Sequence, residues 1–313
     1  MSRGQHKKGD SMTVLSLFDG ISCGRIALER AGIKDITYYA SEIKKSAIRC
    51  SHENYPDIIH IGDVKKISYD DGVLYTEHGV FNVGAIDLLI GGSPCQDFSI
   101  AASRWHKEQN NKYGLMGDNS SLFYEFLRLK EEIKPRYFLL ENVKMKKESE
   151  MELDNYLGCG SININSNLVS FQNRNRLYWT NIPNITIPTD KNISFQDYKD
   201  SDIIRCEESK VNKTPSRERM WNNGKSSGTH GNCKNITYST KIGCLTRKQD
   251  RCPNSGLIEY KEFCRFLTRR ELELAQTLPP GYCDSLTFRQ VQDVTGDAWT
   301  VDVIAHIFKG LNV

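Results

Sequence analysis

Gly91-Gly92-Ser93-Pro94-Cys95-Gln96 directly follows the apolar run from Ala85 to Ile90. A cysteine on a loop leaving a buried strand is presented at the rim of a sheet. Free thiols are more often buried and inert, but the paired glycines and Pro94 argue for a shaped loop. A thiolate held there is a nucleophile. Glu141, in Glu141-Asn142-Val143, ends a second apolar run, Tyr137 to Leu140. This puts a carboxylate at a sheet rim as well, where it and a thiol on a neighbouring strand end can act on one substrate. Gln172-Asn173-Arg174-Asn175-Arg176 has the period of an extended segment, with Gln172, Arg174 and Arg176 on one face. Two arginines side by side suit phosphate or carbonyl oxygens.

A second set of residues suits an adenosine ligand. Phe18-Asp19-Gly20-Ile21-Ser22-Cys23-Gly24 follows the first apolar run, and glycines at a strand-to-helix turn let a ligand approach the backbone. Glu42 closes the next strand, where a carboxylate can hold ribose hydroxyls. Asp63, in Ile61-Gly62-Asp63-Val64, follows the next unit and can accept from an adenine amine. Singly, each acid reads equally well as a cap or a surface residue. In this order they outline an adenosine site at the carboxyl ends of parallel strands.

The elements that must position these residues follow from periodicity. Thr13 to Phe18, Ile36 to Ala40, Ala85 to Ile90 and Tyr137 to Leu140 read as strands. Gly24 to Ala31, Lys44 to Glu53 and Ser121 to Ile133 read as helices between them. This alternation predicts an α/β fold, a mostly parallel sheet with helices on both faces. Thr268 to Thr277 reads as a helix opened by a Thr268–Glu271 capping box, and Thr300 to Phe308 as a closing helix. From Pro183 to about residue 256, Asn, Ser, Lys and Gly dominate, which predicts a smaller, loop-rich domain.

Length and composition fit this. A chain of 313 residues, 38% apolar and 26% charged, suits one large and one small domain, without a membrane-spanning run. Residues 1–11 read as a flexible tail, not a signal peptide. Ten scattered cysteines without a Cys-x-x-Cys pair predict a reduced, cytoplasmic protein, not a disulfide scaffold. Cys233, Cys244, Cys252 and Cys264 lack the close pairs of zinc sites, so no metal is expected. Ser209 to Arg251 carries a local net charge of +8, against +3 for the whole chain, leaving −5 elsewhere. A basic segment on an acidic body predicts a polyanion-binding face. The missing Gly-x-Gly-x-x-Gly fingerprint argues against a nicotinamide oxidoreductase.

Taken together, the Pro94-Cys95-Gln96, Glu141-Asn142-Val143 and flanking motifs resemble the cytosine C5-methyltransferases. The resemblance covers about residues 12–184 and 266–311. Phe18-Asp19-Gly20-Ile21, Ser41-Glu42 and Gly91 to Cys95 look most like the animal de novo enzymes, and the Gln-x-Arg-x-Arg segment like bacterial and phage enzymes. The resemblance implies a Rossmann-like S-adenosylmethionine-dependent methyltransferase fold: residues 12–184 with 266–313 for catalysis, and 185–265 for target recognition.

It also implies a mechanism. Cys95 attacks C6 of a flipped-out cytosine, making C5 nucleophilic. Glu141 binds N3 and the exocyclic amine, Arg176 reaches O2, and Arg174 positions loop and base. Phe18, Asp19, Gly20, Ile21, Glu42, Ile43, Asp63, Val64, Pro94, Leu122, Asp297, Ala298 and Trp299 correspond to contacts with S-adenosyl-L-methionine. Gln96, Ser99, Arg104, Gln172, Arg217, Arg219, Arg247 and Arg251 fall where DNA contacts are expected. Asp297 departs from the asparagine usual in bacterial members, which leaves open a tolerated carboxylate, weaker donor binding or an unusual transferred group, with ordinary methyl transfer favoured. The implied partner is double-stranded DNA, met as a monomer in a prokaryotic or phage-infected cell, with room for a cognate restriction endonuclease. An RNA-directed enzyme is the alternative, but the Cys-Phe-Thr segment of the animal RNA-modifying relatives is missing. A non-catalytic module is disfavoured because Cys95 and Glu141 are both present.

Overall fold

The computed structural model describes residues 11–93, 121–227, 233–247, 249 and 253–312. Residues 1–10 of the expected tail lie outside the described residues. In chain order the first half contains strand β1 (Met12–Leu17), helix α1 (Cys23–Arg30), β2 (Ile36–Ser41), α2 (Lys45–Asn54) and β3 (Ile59–His60). A small antiparallel meander follows, β4 (Ser68–Asp70), β5 (Val73–Thr76) and β6 (Gly79–Asn82), then β7 (Leu88–Gly92). Next come α3 (Ser121–Ile133), β8 (Tyr137–Val143), α4 (Lys147–Leu157), β9 (Ile162–Asn165) and β10 (Asn175–Thr180).

Seven strands form one sheet in the order β3-β2-β1-β7-β8-β10-β9. The first five run parallel, and β10 is antiparallel to both its neighbours. The central strands are apolar on both faces because both faces are covered. Val14, Leu88, Ile90 and Leu139 join one buried cluster, with Ile26 of α1 and Val301 and Ile304 near the C-terminus. Their alternate neighbours Leu15, Leu17, Leu89, Phe138 and Leu140 join another, with Phe126 and Leu129 of α3 and Leu153 of α4. Period two thus assigns each strand residue to one layer of helices.

Register does the rest. Leu17 pairs with both Ser41 and Gly91, and Gly92 pairs with Glu141. The residues that follow β2, β1 and β7 therefore meet Glu141 at one rim. Antiparallel β10 starts at that same rim, because Arg176 pairs with Val143.

The polar second half is more regular than its composition suggests. It holds α5 (Ile203–Glu208), α6 (Pro215–Ser227) and the hairpin β11 (Ile258–Tyr260)–β12 (Phe263–Arg265). Val211, Trp221, Cys233, Leu257, Cys264 and Phe266 make a small core there. Phe195, Ile236, Ile242 and Leu245, however, join the large cluster of α1. The chain closes with α7 (Arg269–Ala275), α8 (Phe288–Asp297) and α9 (Val301–Phe308). Among the described residues no helix is long and apolar enough to cross a membrane.

A buried ion pair joins the β11–β12 hairpin to α7. Arg265 meets Glu271 through two contacts of 2.7 and 2.9 Å, and both side chains are almost wholly buried. Glu271 also accepts from the backbone N–H of Thr268 and Asp200, and Thr268 completes the expected capping box. Every lone pair of the carboxylate that faces protein is thus used, which is what a buried charge requires. Removing one partner leaves the other uncompensated. We predict that Glu271→Ala lowers unfolding free energy by about 3–5 kcal/mol, measured by urea denaturation. The double replacement Arg265→Met/Glu271→Leu should recover most of that loss. A cost below about 1 kcal/mol for the single variant, the range of exposed pairs, would contradict the burial argument.

Candidate active site

Glu141 sits at the rim, nearly buried, where β8 passes Gly92. Its Oε1 lies 2.8 Å from Arg176 Nε, and its Oε2 accepts from Trp299 Nε1 at 3.2 Å. Charge-assisted bonds of this kind fix both position and charge. Gly92 leaves the space they need. A Cβ on Gly92 would lie 2.7 Å from Trp299 Nε1 and 3.1 Å from Glu141 Oε2. The neighbouring Asn142 donates its amide to Ser93 Oγ at 3.1 Å, fixing the exit of β7. Neither Asn142 nor the Trp299–Glu141 bond was legible from spacing, because both join segments far apart in sequence. Cys95, with Pro94, Gln96, Ser99 and Arg104, lies outside the described residues.

The two arginines have different surroundings. Arg176 keeps Glu141 company and donates to the carbonyl of Asn175 at 2.9 Å. Arg174 is buried and has other partners. It donates to the carbonyl oxygens of Leu245 at 3.0 Å and Gly296 at 3.3 Å. It braces the 242–247 strap against the end of α8 rather than facing Glu141. The half-buried thiol of Cys244 lies against both, 3.5 Å from Arg174 Nη1 and 3.8 Å from Arg176 Nη2.

Gln172 is corrected by the structure. It was expected at DNA, but it is fully buried. Its amide donates to Ala275 O and Gln276 Oε1, and its carbonyl accepts from Leu245 N. The segment before β10 runs beneath the 242–245 strap, so Gln172 becomes an internal tie. Arg217 and Arg219 lie on α6, with Arg219 exposed. Arg247 is exposed but ion-paired, its Nε 3.2 Å from Asp293 and 3.6 Å from Asp297. Arg251 lies outside the described residues.

Several of the residues expected around an adenosine lie on the turns beside this rim. Phe18, Gly20 and Ser22 all have positive φ, so the turn after β1 is sharply folded. A Cβ at Gly20 would meet nothing within 4 Å, so the glycine is required by backbone conformation and leaves open space. Gly20 N–H donates to Glu42 Oε2 at 2.8 Å, while Ile43 and Lys44 N–H donate to Oε1, each at 2.8 Å. Glu42 thereby joins the turn after β1 to the one after β2. Ile43 is 71% exposed, an apolar side chain available to a flat ring. Asp63 caps a short 3-10 helix through Lys65 N–H, and Leu122 is half-buried. Ile21 and Val64 are packed into the core and support the walls, as does buried Ala298; Trp299 is half-buried. Asp297 is held by Lys44 at 3.2 Å.

Asp19 faces inward rather than toward a ligand. It accepts from Tyr38 Oη at 2.7 Å and Ser22 Oγ at 2.5 Å. Burial pushes its carboxyl from the ordinary 3.8 up to about 6, with the Glu42 charge adding and these hydrogen bonds opposing.

This sheet order is that of a Rossmann-like methyltransferase fold. The likeness extends to solved structures. The methyltransferase EhMeth of Entamoeba histolytica superposes with a TM-score of 0.68 at 16% identity, over 96% of this chain and 98% of that one. The Dnmt2 methyltransferase of S. pombe gives 0.62 at 18%, over 96% and 100%. At these identities the likeness is one of fold. The chain belongs to the C-5 cytosine-specific DNA methylase family, whose model matches residues 12–312. It is 35% identical over 135 residues to the orphan methyltransferase M.Rho11sI of Bacillus phage rho11s, covering 42% of this chain and 23% of that protein. Identity to the type II methyltransferase M.NlaIV of Neisseria lactamica is 32% over 134 residues, covering 42% and 27%. The matches thus span about a quarter of those relatives' length.

The Asp19 shift has a consequence for stability. Between about pH 4 and 6 the folded state holds a proton that the unfolded chain has released, so this group makes stability fall as pH rises through that window. Asp19→Asn removes the titration. Relative to wild type, the variant should gain stability between pH 4.5 and 7 in urea denaturation. A difference that stays constant with pH would count against the shift.

Proposed function

We propose that this protein transfers a methyl group from S-adenosyl-L-methionine to C5 of a flipped-out cytosine in DNA, through a covalent bond between Cys95 and C6. The observation that carries this reading is Glu141, held by Arg176 and Trp299 one strand from the Gly92–Ser93 exit that leads to Cys95. The donor walls fit the proposed cofactor: open space at Gly20, the Glu42 carboxylate between two turns, and exposed Ile43. When bound, S-adenosylmethionine supplies an electrophilic methyl on a sulfonium.

The residues act as follows. The Cys95 thiolate adds to C6, and the ring electrons move to C5. Glu141 accepts from the exocyclic amine and shares a proton with N3, which stabilises the ring as its electrons shift toward N3; the proton returns when the thiolate leaves. Arg176, oriented by Glu141, reaches O2, and Arg174 acts through the strap that it braces. After methyl transfer, loss of the C5 proton and departure of the thiolate restore aromaticity. A stacked base exposes neither C6 nor C5 to such groups, so the cytosine must leave the duplex. We assign residues 185–265 to target recognition, since the basic segment 209–251 suits phosphate contact. Arg217 and Arg219 on α6 are our candidates for DNA contact there.

A mechanism-based trap tests the whole reading. Wild-type protein with donor and duplex DNA containing 5-fluorocytosine should form an adduct that survives denaturing electrophoresis. Cys95→Ser should form none, and Glu141→Gln should lose about 10²–10³ in methylation rate. Methylation of tRNA without methylation of duplex DNA would sink the DNA assignment. An adduct of wild-type strength in Cys95→Ser would remove Cys95 as nucleophile.

A further inference from the structure

Lys44 has no part in the chemistry above, yet it joins the two segments that border the donor walls. Its backbone N–H is held by Glu42 Oε1 at 2.8 Å. Its ammonium lies 2.5 Å from Asp293 Oδ2 and 3.2 Å from Asp297 Oδ2, across from α2 on α8. A second bond links the same helices, from Arg49 to Gln290 at 2.9 Å. Asp293 and Asp297 also share Arg247. Two carboxylates one turn apart on a helix repel, and here two cations lie between them.

The chain of contacts is continuous. Gly20 N–H binds Glu42, Glu42 binds Lys44 N–H, and the Lys44 ammonium binds Asp297. Two residues on, Trp299 binds Glu141. Lys44 is the link that closes this path from the turn after β1 to the rim carboxylate. An asparagine at position 297 could not form the ion pair, so Asp297 and Lys44 make sense as a matched pair.

We propose that Lys44 is a positioning residue for the methyl donor, locking the Glu42–Ile43 wall to the Asp297–Trp299 wall by bridging Asp293 and Asp297. This rests on the reading of those walls as the S-adenosylmethionine site. The lock acts on the apo protein and does not touch the reacting atoms. Donor and demethylated product share everything but the methyl and its charge, so loosening the walls weakens both alike. The pair is partly exposed, so salt screens it.

Direct calorimetric binding of S-adenosylmethionine and S-adenosylhomocysteine, without DNA, tests this. Lys44→Met should weaken both ligands about fivefold, or about 1 kcal/mol, and Lys44→Arg should restore most of the affinity. Wild-type affinity should fall with added salt toward that of Lys44→Met, whose own affinity should be nearly flat. In turnover, KM for the donor should rise with little change in kcat. Unchanged affinity in Lys44→Met overturns the proposal. So does a weakening confined to one ligand, which would mean that Lys44 responds to the sulfonium charge rather than to the position of the walls. Should Lys44→Met fail to fold, the wild-type salt response and Lys44→Arg still decide. Wild type that binds neither ligand defeats the donor-site reading itself, whereas wild-type binding with no effect of Lys44 defeats only the lock.

Discussion

Glu141 is a carboxylate held almost out of water at the end of a parallel strand, and a charge in that position is tolerable only with partners. Leaving it unpaired would cost several kcal/mol, a large part of a domain's stability. Much of the local architecture meets that requirement. Antiparallel β10 enters the sheet next to β8 and brings Arg176 to 2.8 Å from the carboxylate. The turn from α8 into α9 brings Trp299 to its other oxygen. Gly92 carries no side chain on the neighbouring strand, so neither partner is displaced. The same pairing that makes the charge affordable also aims it, leaving a rigid acceptor at the rim.

The parallel register spreads this constraint along the sheet. With Leu17 level with Ser41 and Gly91, the turns after β1, β2 and β7 cannot drift relative to one another without breaking ladder bonds. Glu42 then needs only to satisfy three backbone N–H groups to hold two of those turns together. Backbone donors aimed at a carboxylate of this kind give the walls a fixed shape before any ligand arrives, which lowers the ordering cost of binding.

How much of this could be read in advance depended on whether a feature was local. The run Ala85 to Ile90 and the Thr268–Glu271 capping box are set by neighbours in sequence; the capping box appears as expected, and the run forms a strand shifted toward its C-terminal end, Leu88–Gly92. The β4–β6 meander was legible too, though missed. Asp71-Gly72 is a two-residue hairpin signal, and both residues have positive φ between paired Asp70 and Val73. The polar texture around it hid the signal. Gln172 failed for a different reason. Alternation put it on a face with Arg174 and Arg176, but which face meets water is decided by the 242–245 strap, distant in sequence. Arg247 is similar, since a surface arginine in a basic run gives no sign that two carboxylates from α8 await it.

That strap also bears on how the proposed recognition segment is joined to the rim. Ile242 exchanges backbone bonds with Phe171 and Asn173, and Leu245 donates its N–H to Gln172 and accepts from Arg174. On its other side it presses on α8, where a Cβ at Gly296 would lie 2.5 Å from the Thr246 carbonyl carbon. A segment of the basic stretch is therefore packed, backbone against backbone, between the segment that leads into the strand of Arg176 and the helix that carries Asp297. Close-packed contacts of this sort transmit displacement rather than absorb it. A shift of the strap on engaging a polyanion would press on both sides of the rim at once. Arg174 is the residue that resists it, because its guanidinium holds Leu245 and Gly296 together. Its burial among carbonyl oxygens makes physical sense as a brace between the strap and the end of α8, a role that its place beside Arg176 in sequence does not reveal.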